Sequence, residues 1–201
     1  MNILLDTLPE TITVEGKDYF ADTDFRTFII LEKIISDSRL SSSEAVLSVI
    51  DLVLPDEKPP IDAVASAIQE IMWLYSCGSP STGKKKRRMN GNVVIKDNLI
   101  YDYEYDAPYI YGAFLSQYGV DLNDTDYLHW WKFIAMFKSL RSDCKICEIM
   151  SYRATDISKI KDREEKNRIA RLKEIYALPN NMTFEDKVAA AGAAFGGAFL
   201  Q

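Results

Sequence analysis

DYLHWWKFIAMFKSL, Asp126 to Leu140, reads as an amphipathic helix. Tyr127, Trp130, Trp131, Ile134 and Phe137 share one broad apolar arc when the residues are set on a helical wheel. His129, the only histidine of the chain, falls outside that arc near Lys132, Met136 and Ser139. With no carboxylate at i±4, it reads as a polar residue on the rim of a core helix.

Helical spacing extends outward from this stretch in both directions. TDFRTFIILEKIISD places Phe25, Phe28, Ile29, Leu31, Ile34 and Ile35 on one face, with Thr23 or Asp24 as the cap. SSSEAVLSVIDLVL is a second helix capped by one of its serines, and IDAVASAIQEIMWLYSCG a third that stops at Gly78. DAPYIYGAFLSQYG has an Asp cap, Pro108 in the first turn and Gly119 just past the end. SDCKICEIMSYR and DREEKNRIARLKEIYAL supply two more helices. The second carries Asp162–Lys166 and Glu164–Arg168 at i,i+4, with a narrow stripe of Ile169, Leu172, Ile175 and Tyr176.

Only TITVEGKDYF alternates as a strand pair does, turning at Glu15-Gly16. The fold class is therefore mainly α, with a short N-terminal β-hairpin and room for one further short strand pair within VVIKDNLIYDYEYD. The organisation reads as hairpin plus helices over 1–78, a basic linker over 79–98, a helical lobe over 99–179 and an Ala/Gly-rich tail over 180–201. The tail glycines each cost about 1 kcal/mol against Ala in a helix, so helix there is marginal alone.

Composition excludes several classes. A net charge of -6 argues against binding nucleic acid by phosphate neutralisation. Val188–Leu200 is the longest apolar-rich run, short of the roughly 20 residues a spanning helix needs, so no membrane role is expected. Three cysteines and no apolar leader point to a reduced, cytoplasmic setting.

Chemical motifs fail on context. Gly78-Ser79-Pro80-Ser81-Thr82-Gly83-Lys84 has phosphate-loop spacing, but Lys85 stands where a magnesium-holding Ser or Thr belongs, and the segment follows a helix instead of a strand. The basic run Lys84–Arg88 lacks the interleaved aromatics of a strand-binding groove. Cys144 and Cys147 form C-x-x-C, yet a zinc site would need His129 and Cys77 from distant segments, and no βαβ pattern supports a redox role. No G-x-S-x-G elbow is present. Carboxylate pairs such as Asp102/Glu104 and Asp124/Asp126 arise by chance in an acidic chain and read as helix caps. The expectation is a protein with no enzymatic activity, metal or cofactor.

What remains is tyrosine. IYDYEYDAPYIYGAFLSQYG alternates aromatics with acids, and tyrosine joins a large contact area to a polar tip, which suits a protein interface or a small core equally.

Four segments together resemble a family of siphophage tail-region proteins from Gram-positive hosts. LPETITVEGKDYFADTDFRTFI is similar to its amino terminus, a hairpin followed by T-D-F-R-x-W/F. YDYEYDAPYIYGAFLSQYGVDL resembles Y-D-F-E-x-D-A-x-x-I-Y-x-x-F-x-x-x-Y-G-I-D-L, and Leu128-His129-Trp130-Trp131-Lys132-Phe133 its most recognisable element. IMSYRATDISKIKDREEKNRIARLKEIYALP is similar to its closing M-x-Y-R-x-x-D-I/L-S-K-I-K-D.

The resemblance implies a product of the gene slot beside the tape measure protein. That is a tail assembly chaperone, which holds the tape measure protein soluble in the host cytoplasm during tail assembly. The alternative it leaves is a structural component retained in the tail or its initiator complex. Other tail proteins and a second copy of the chain are further expected partners. The chemistry of the residues nominates Tyr101, Tyr103, Tyr105, Tyr109 and Tyr111 for contact, with Phe195 and Phe199 of the tail as a further option.

Overall fold

A computed structural model describes residues 2–37, 39–79 and 100–178. Among them the backbone forms seven α-helices and one antiparallel hairpin, the mainly helical class expected. The described residues divide into two compact units. The first combines residues 2–79 with Tyr127–Ile134, and the second combines 100–126 with 135–178.

In the first unit, β1 (Thr11–Val14) pairs with β2 (Lys17–Phe20) in a register running from Thr11 opposite Phe20 to Val14 opposite Lys17. Glu15 and Gly16 both take positive φ, 50° and 82°, as a two-residue type I′ turn requires. Ile12, Val14 and Tyr19 are buried and the residues between them exposed. This inner face packs toward α3 (Val64–Tyr75).

Helix α1 (Phe25–Ser36) starts at Asp24, whose carboxylate accepts the Arg26 N–H at 3.0 Å. Helix α2 (Ser42–Val53) starts with a reciprocal capping box between Ser41 and Glu44. Phe28, Leu31, Val49, Val53, Ala67, Ile71 and Leu74 are fully buried where α1, α2 and α3 meet.

Residues 126–129 depart from the sequence reading. The helix expected over Asp126–Leu140 begins only at Trp130, so α5 is Trp130–Lys138. Leu128 and His129 instead run extended beside Thr23–Phe25. Phe25 N–H donates to Leu128 O at 2.9 Å, Trp130 N–H donates to Thr23 O at 2.8 Å, and Asp24 and His129 form an antiparallel bridge.

His129 is therefore not on the rim of a helix; it is 3% exposed and stands at the N-cap of α5. Its Nδ1 accepts the Trp131 N–H at 3.0 Å, which leaves Nε2 as the protonated nitrogen donating to Pro9 O at 3.0 Å. Both nitrogens being occupied fixes the neutral tautomer. Burial is the main cause holding its pKa below the ordinary histidine value.

The two tryptophans that follow close the other end of a helix. Trp130 Nε1 donates to Tyr75 O at 2.8 Å and Trp131 Nε1 to Leu74 O at 2.7 Å, so both indoles hold carbonyls at the C-terminus of α3, where intrahelical donors run out. Cys77 and Gly78 complete that end in the left-handed region, with Gly78 N–H bonded to Trp73 O and Cys77 N–H to Leu74 O. Rings of Phe25 and Phe133 stack at 4.9 Å between centroids, and Phe28 and Trp130 at 5.3 Å.

The second unit holds α4 (Ala107–Tyr118), the end of α5 from Ala135, α6 (Lys145–Ala154) and α7 (Arg163–Ile175). Ile110, Phe114, Phe137, Ile146, Ile149 and Ile169 form its core. Asp162 caps α7 by accepting the Glu165 N–H, and Arg168 pairs with Glu165 at i,i+3; these replace the i,i+4 pairs read from the sequence. Residues 100–106 form coil and turns, with no strand there, while 93–99 of the suggested strand pair, the linker 80–98 and the tail lie outside the described residues.

Candidate partner-binding surface

The tyrosine segment is anchored by one ion pair of the second unit. Asp106, last residue before α4, and Arg153, near the end of α6, have side chains 2% and 9% exposed. The guanidinium holds both carboxylate oxygens, at 2.5 Å and 2.9 Å, in a planar fork. It also donates to Ile100 O at 3.0 Å and to Tyr176 O at 2.7 Å. Asp106 in turn accepts the Asp102 N–H at 2.9 Å, and Lys173 donates to Arg153 O and Thr155 O beside it. One buried Arg thus ties the start of α4, the end of α6 and the end of α7 together.

This anchor divides the nominated tyrosines. Tyr103 is buried, its ring 6.1 Å from Phe137, and Tyr101 is half-buried with its ring 5.0 Å from Phe137. Tyr111 is half-buried and donates to Asp121 at 2.8 Å; that hydrogen bond raises its pKa above the usual tyrosine value. Tyr105 and Tyr109 are the outward ones, 57% and 37% exposed. Tyr109 meets the ring of Tyr176 edge-on at 6.5 Å, which itself stacks on Tyr152. Phe195 and Phe199 lie outside the described residues.

Helix α4 contains no charged residue. Its buried side is Ile110, Ala113 and Phe114; its exposed side is Pro108, Tyr109, Gly112, Leu115 and Ser116. On a helical wheel Gly112 stands at the centre of that exposed arc, with Pro108 and Leu115 to one side and Tyr109 and Ser116 to the other. A Cβ built on Gly112 would meet nothing within 4 Å. The result is a shallow, largely apolar face with one aromatic edge at Tyr109, open at its middle.

Among the described residues no group of three or more His, Cys, Asp or Glu could hold a metal ion. Cys144 is the residue before α6, and Cys147 lies in its first turn. Burial, and then the neighbouring Cys144 thiol, push the Cys147 thiol up to about 11, the opposite of a reactive thiolate. Among the described residues no helix is long and apolar enough to cross a membrane.

Fold and surface define a small, mainly helical protein of two compact units, the second carrying an uncharged, partly exposed helix. The sequence profile described as "Bacteriophage Gp15 protein" matches residues 4–178, and the chain belongs to that bacteriophage family. No curated protein and no solved structure matches the chain.

The segments that resemble tail-region proteins now have physical roles. T-D-F-R and L-H-W-W meet each other through Asp24, Leu128 and His129. The D-A of the tyrosine segment and the Y-R of the closing segment meet through Asp106 and Arg153. Each pair ties distant segments of one unit together. Sequence reasoning gave Arg153 no role of its own; its signals were the Y-R of the closing segment and a lone Arg in an otherwise apolar helical stripe.

Proposed function

We propose that the chain is a tail assembly chaperone that binds the tape measure protein non-covalently in the host cytoplasm and keeps it soluble until the tail tube forms. The exposed face of α4 carries this reading: an uncharged helix surface with Tyr105 and Tyr109 at its edge, in a chain of a bacteriophage family. Helical partners are held in such grooves by burying an apolar stripe, and a long helical tape measure offers that stripe repeatedly. Binding of this kind needs no catalytic residue or cofactor.

Co-expression with the phage's tape measure protein tests it. The expected result is a soluble complex that survives gel filtration, and unchanged tape measure solubility with no complex would sink the proposal. Mass spectrometry of purified virions separates it from retention as a structural component, which would appear there in fixed copy number.

A further inference from the structure

The face of α4 carries more information than its apolarity. Between Lys96 and Lys132 the chain has no Lys or Arg, and the acids within that span bracket α4 at both ends. Glu104 and Asp102 precede the helix; Asp121 and Asp124 follow it. Glu104 and Asp124 are exposed, and backbone N–H donors, with the Tyr111 hydroxyl, hold the Asp121 carboxyl below its ordinary range, so it stays charged. Two cations of neighbouring segments already have acidic partners. Lys145, lying over the Tyr176 ring, pairs with Glu148, and Arg141 pairs with Asp143.

Gly112 adds a geometric statement. A glycine in the middle of a helix costs about 1 kcal/mol against Ala, and nothing inside the unit requires the missing side chain here. What its absence permits is close approach from outside, where a second helix can lay its backbone across α4 between the Leu115 and Tyr109 ridges.

We infer that the Pro108–Tyr109–Gly112–Leu115–Ser116 face of α4 is a docking groove for a single partner helix whose apolar stripe is flanked by lysines or arginines. The occupant is not α4 of a second copy: α4 against α4, parallel or antiparallel, would set Glu104, Asp121 and Asp124 against one another, and like charges oppose that pairing. An anionic lipid surface is repelled by the same acids. The partner is a basic-flanked helix, and the inference rests on the chaperone reading in taking that helix from the tape measure protein.

The probe is a labelled peptide of about 20 residues, long enough to be helical, with a Leu/Ala stripe and lysine flanks. A control keeps the stripe and replaces the lysines with glutamates. Titrated with the full chain in fluorescence anisotropy, the lysine peptide is expected to bind at least about tenfold more tightly than the control, and to weaken as salt is raised. Gly112→Leu fills the open centre and is expected to weaken it by a further factor of about ten or more. A Cβ at this exposed position meets nothing within 4 Å and Leu favours helix over Gly, so circular dichroism and melting temperature should be kept or raised.

Equal affinity for the two peptides, or no loss in Gly112→Leu, overturns the inference. So does a dimer in sedimentation equilibrium that Gly112→Leu dissolves. A tape measure complex that survives Gly112→Leu removes this groove and leaves the chaperone reading in place. Lysine-peptide binding at Gly112 alongside a tape measure protein left uncaptured does the reverse.

Discussion

Asp24 and His129 are the N-caps of α1 and α5, and they face each other across a single antiparallel bridge. Asp24 uses one carboxylate oxygen for its own helix, on Arg26 N–H, and the other for Leu128 N–H at 3.0 Å. His129 divides its ring in the same way, Nδ1 to Trp131 of its own helix and Nε2 to Pro9. Each cap both starts a helix and holds a distant strand of chain, so local and tertiary structure form together.

A protonated His129 would put a donor where Trp131 N–H already donates, at the positive end of a helix dipole. Its folded pKa lies below the ordinary value, so the unfolded chain takes up this proton first as pH falls. More protons on the unfolded state means stability rises with pH. Urea unfolding between pH 5.5 and 7.5 should therefore show stability falling as pH drops below the unfolded histidine value of about 6.5, at up to about 1.4 kcal/mol per pH unit. His129→Gln, in the only histidine of the chain, should flatten that slope. A wild-type slope retained in the variant would refute the assignment.

Removing either member of the Arg153–Asp106 pair strands a buried charge. Arg153→Leu or Asp106→Asn is expected to cost about 3–5 kcal/mol in urea melts. Arg153→Lys should recover little, because an ammonium cannot hold both oxygens, Ile100 O and Tyr176 O at once. A loss under about 1 kcal/mol for Arg153→Leu would mean the pair is solvated and does not anchor α4.

The helices and hairpin were legible because their signals are local. Asp24, the Ser41–Glu44 box, Pro108 and Gly119 act within one turn of the backbone they terminate, and Glu15-Gly16 specifies its own turn. His129 was misplaced because what overrides the apolar periodicity of 126–129 comes from Thr23–Phe25 and Pro9, more than a hundred residues away. The tyrosines were legible as a group and not one by one. Burial of Tyr103 and exposure of Tyr105 follow from the turn that Asp102 and Asp106 impose, and Asp106 depends on Arg153.

That division of tyrosines has a direct test. Tyr103→Ala should cost about 3–5 kcal/mol of stability, as an aromatic removed from a core does. Tyr105→Ala should fall within about 0.5 kcal/mol of wild type, being an exposed truncation. In the co-expression assay Tyr105→Ala combined with Tyr109→Ala should lower tape measure capture while the helical circular dichroism signal is kept. Loss of that signal in the double variant would place these rings in the core instead.

Gly78 sits at φ +70°, and a Cβ there would come within 3.0 Å of Trp131 Cη2. Gly78→Ala therefore meets two separate penalties: the left-handed backbone, about 1–2 kcal/mol for a residue with a Cβ, and a collision with an indole that is itself fixed by its bond to Leu74 O. The expected loss is about 2–4 kcal/mol, with altered tryptophan emission as the ring is displaced. Trp131→Phe removes the colliding atom, so adding Gly78→Ala to that background should cost only the backbone part, and the two changes should be non-additive by about 1 kcal/mol or more. Additive losses would show that Gly78 answers to its turn alone and that Trp131 does not pack against it.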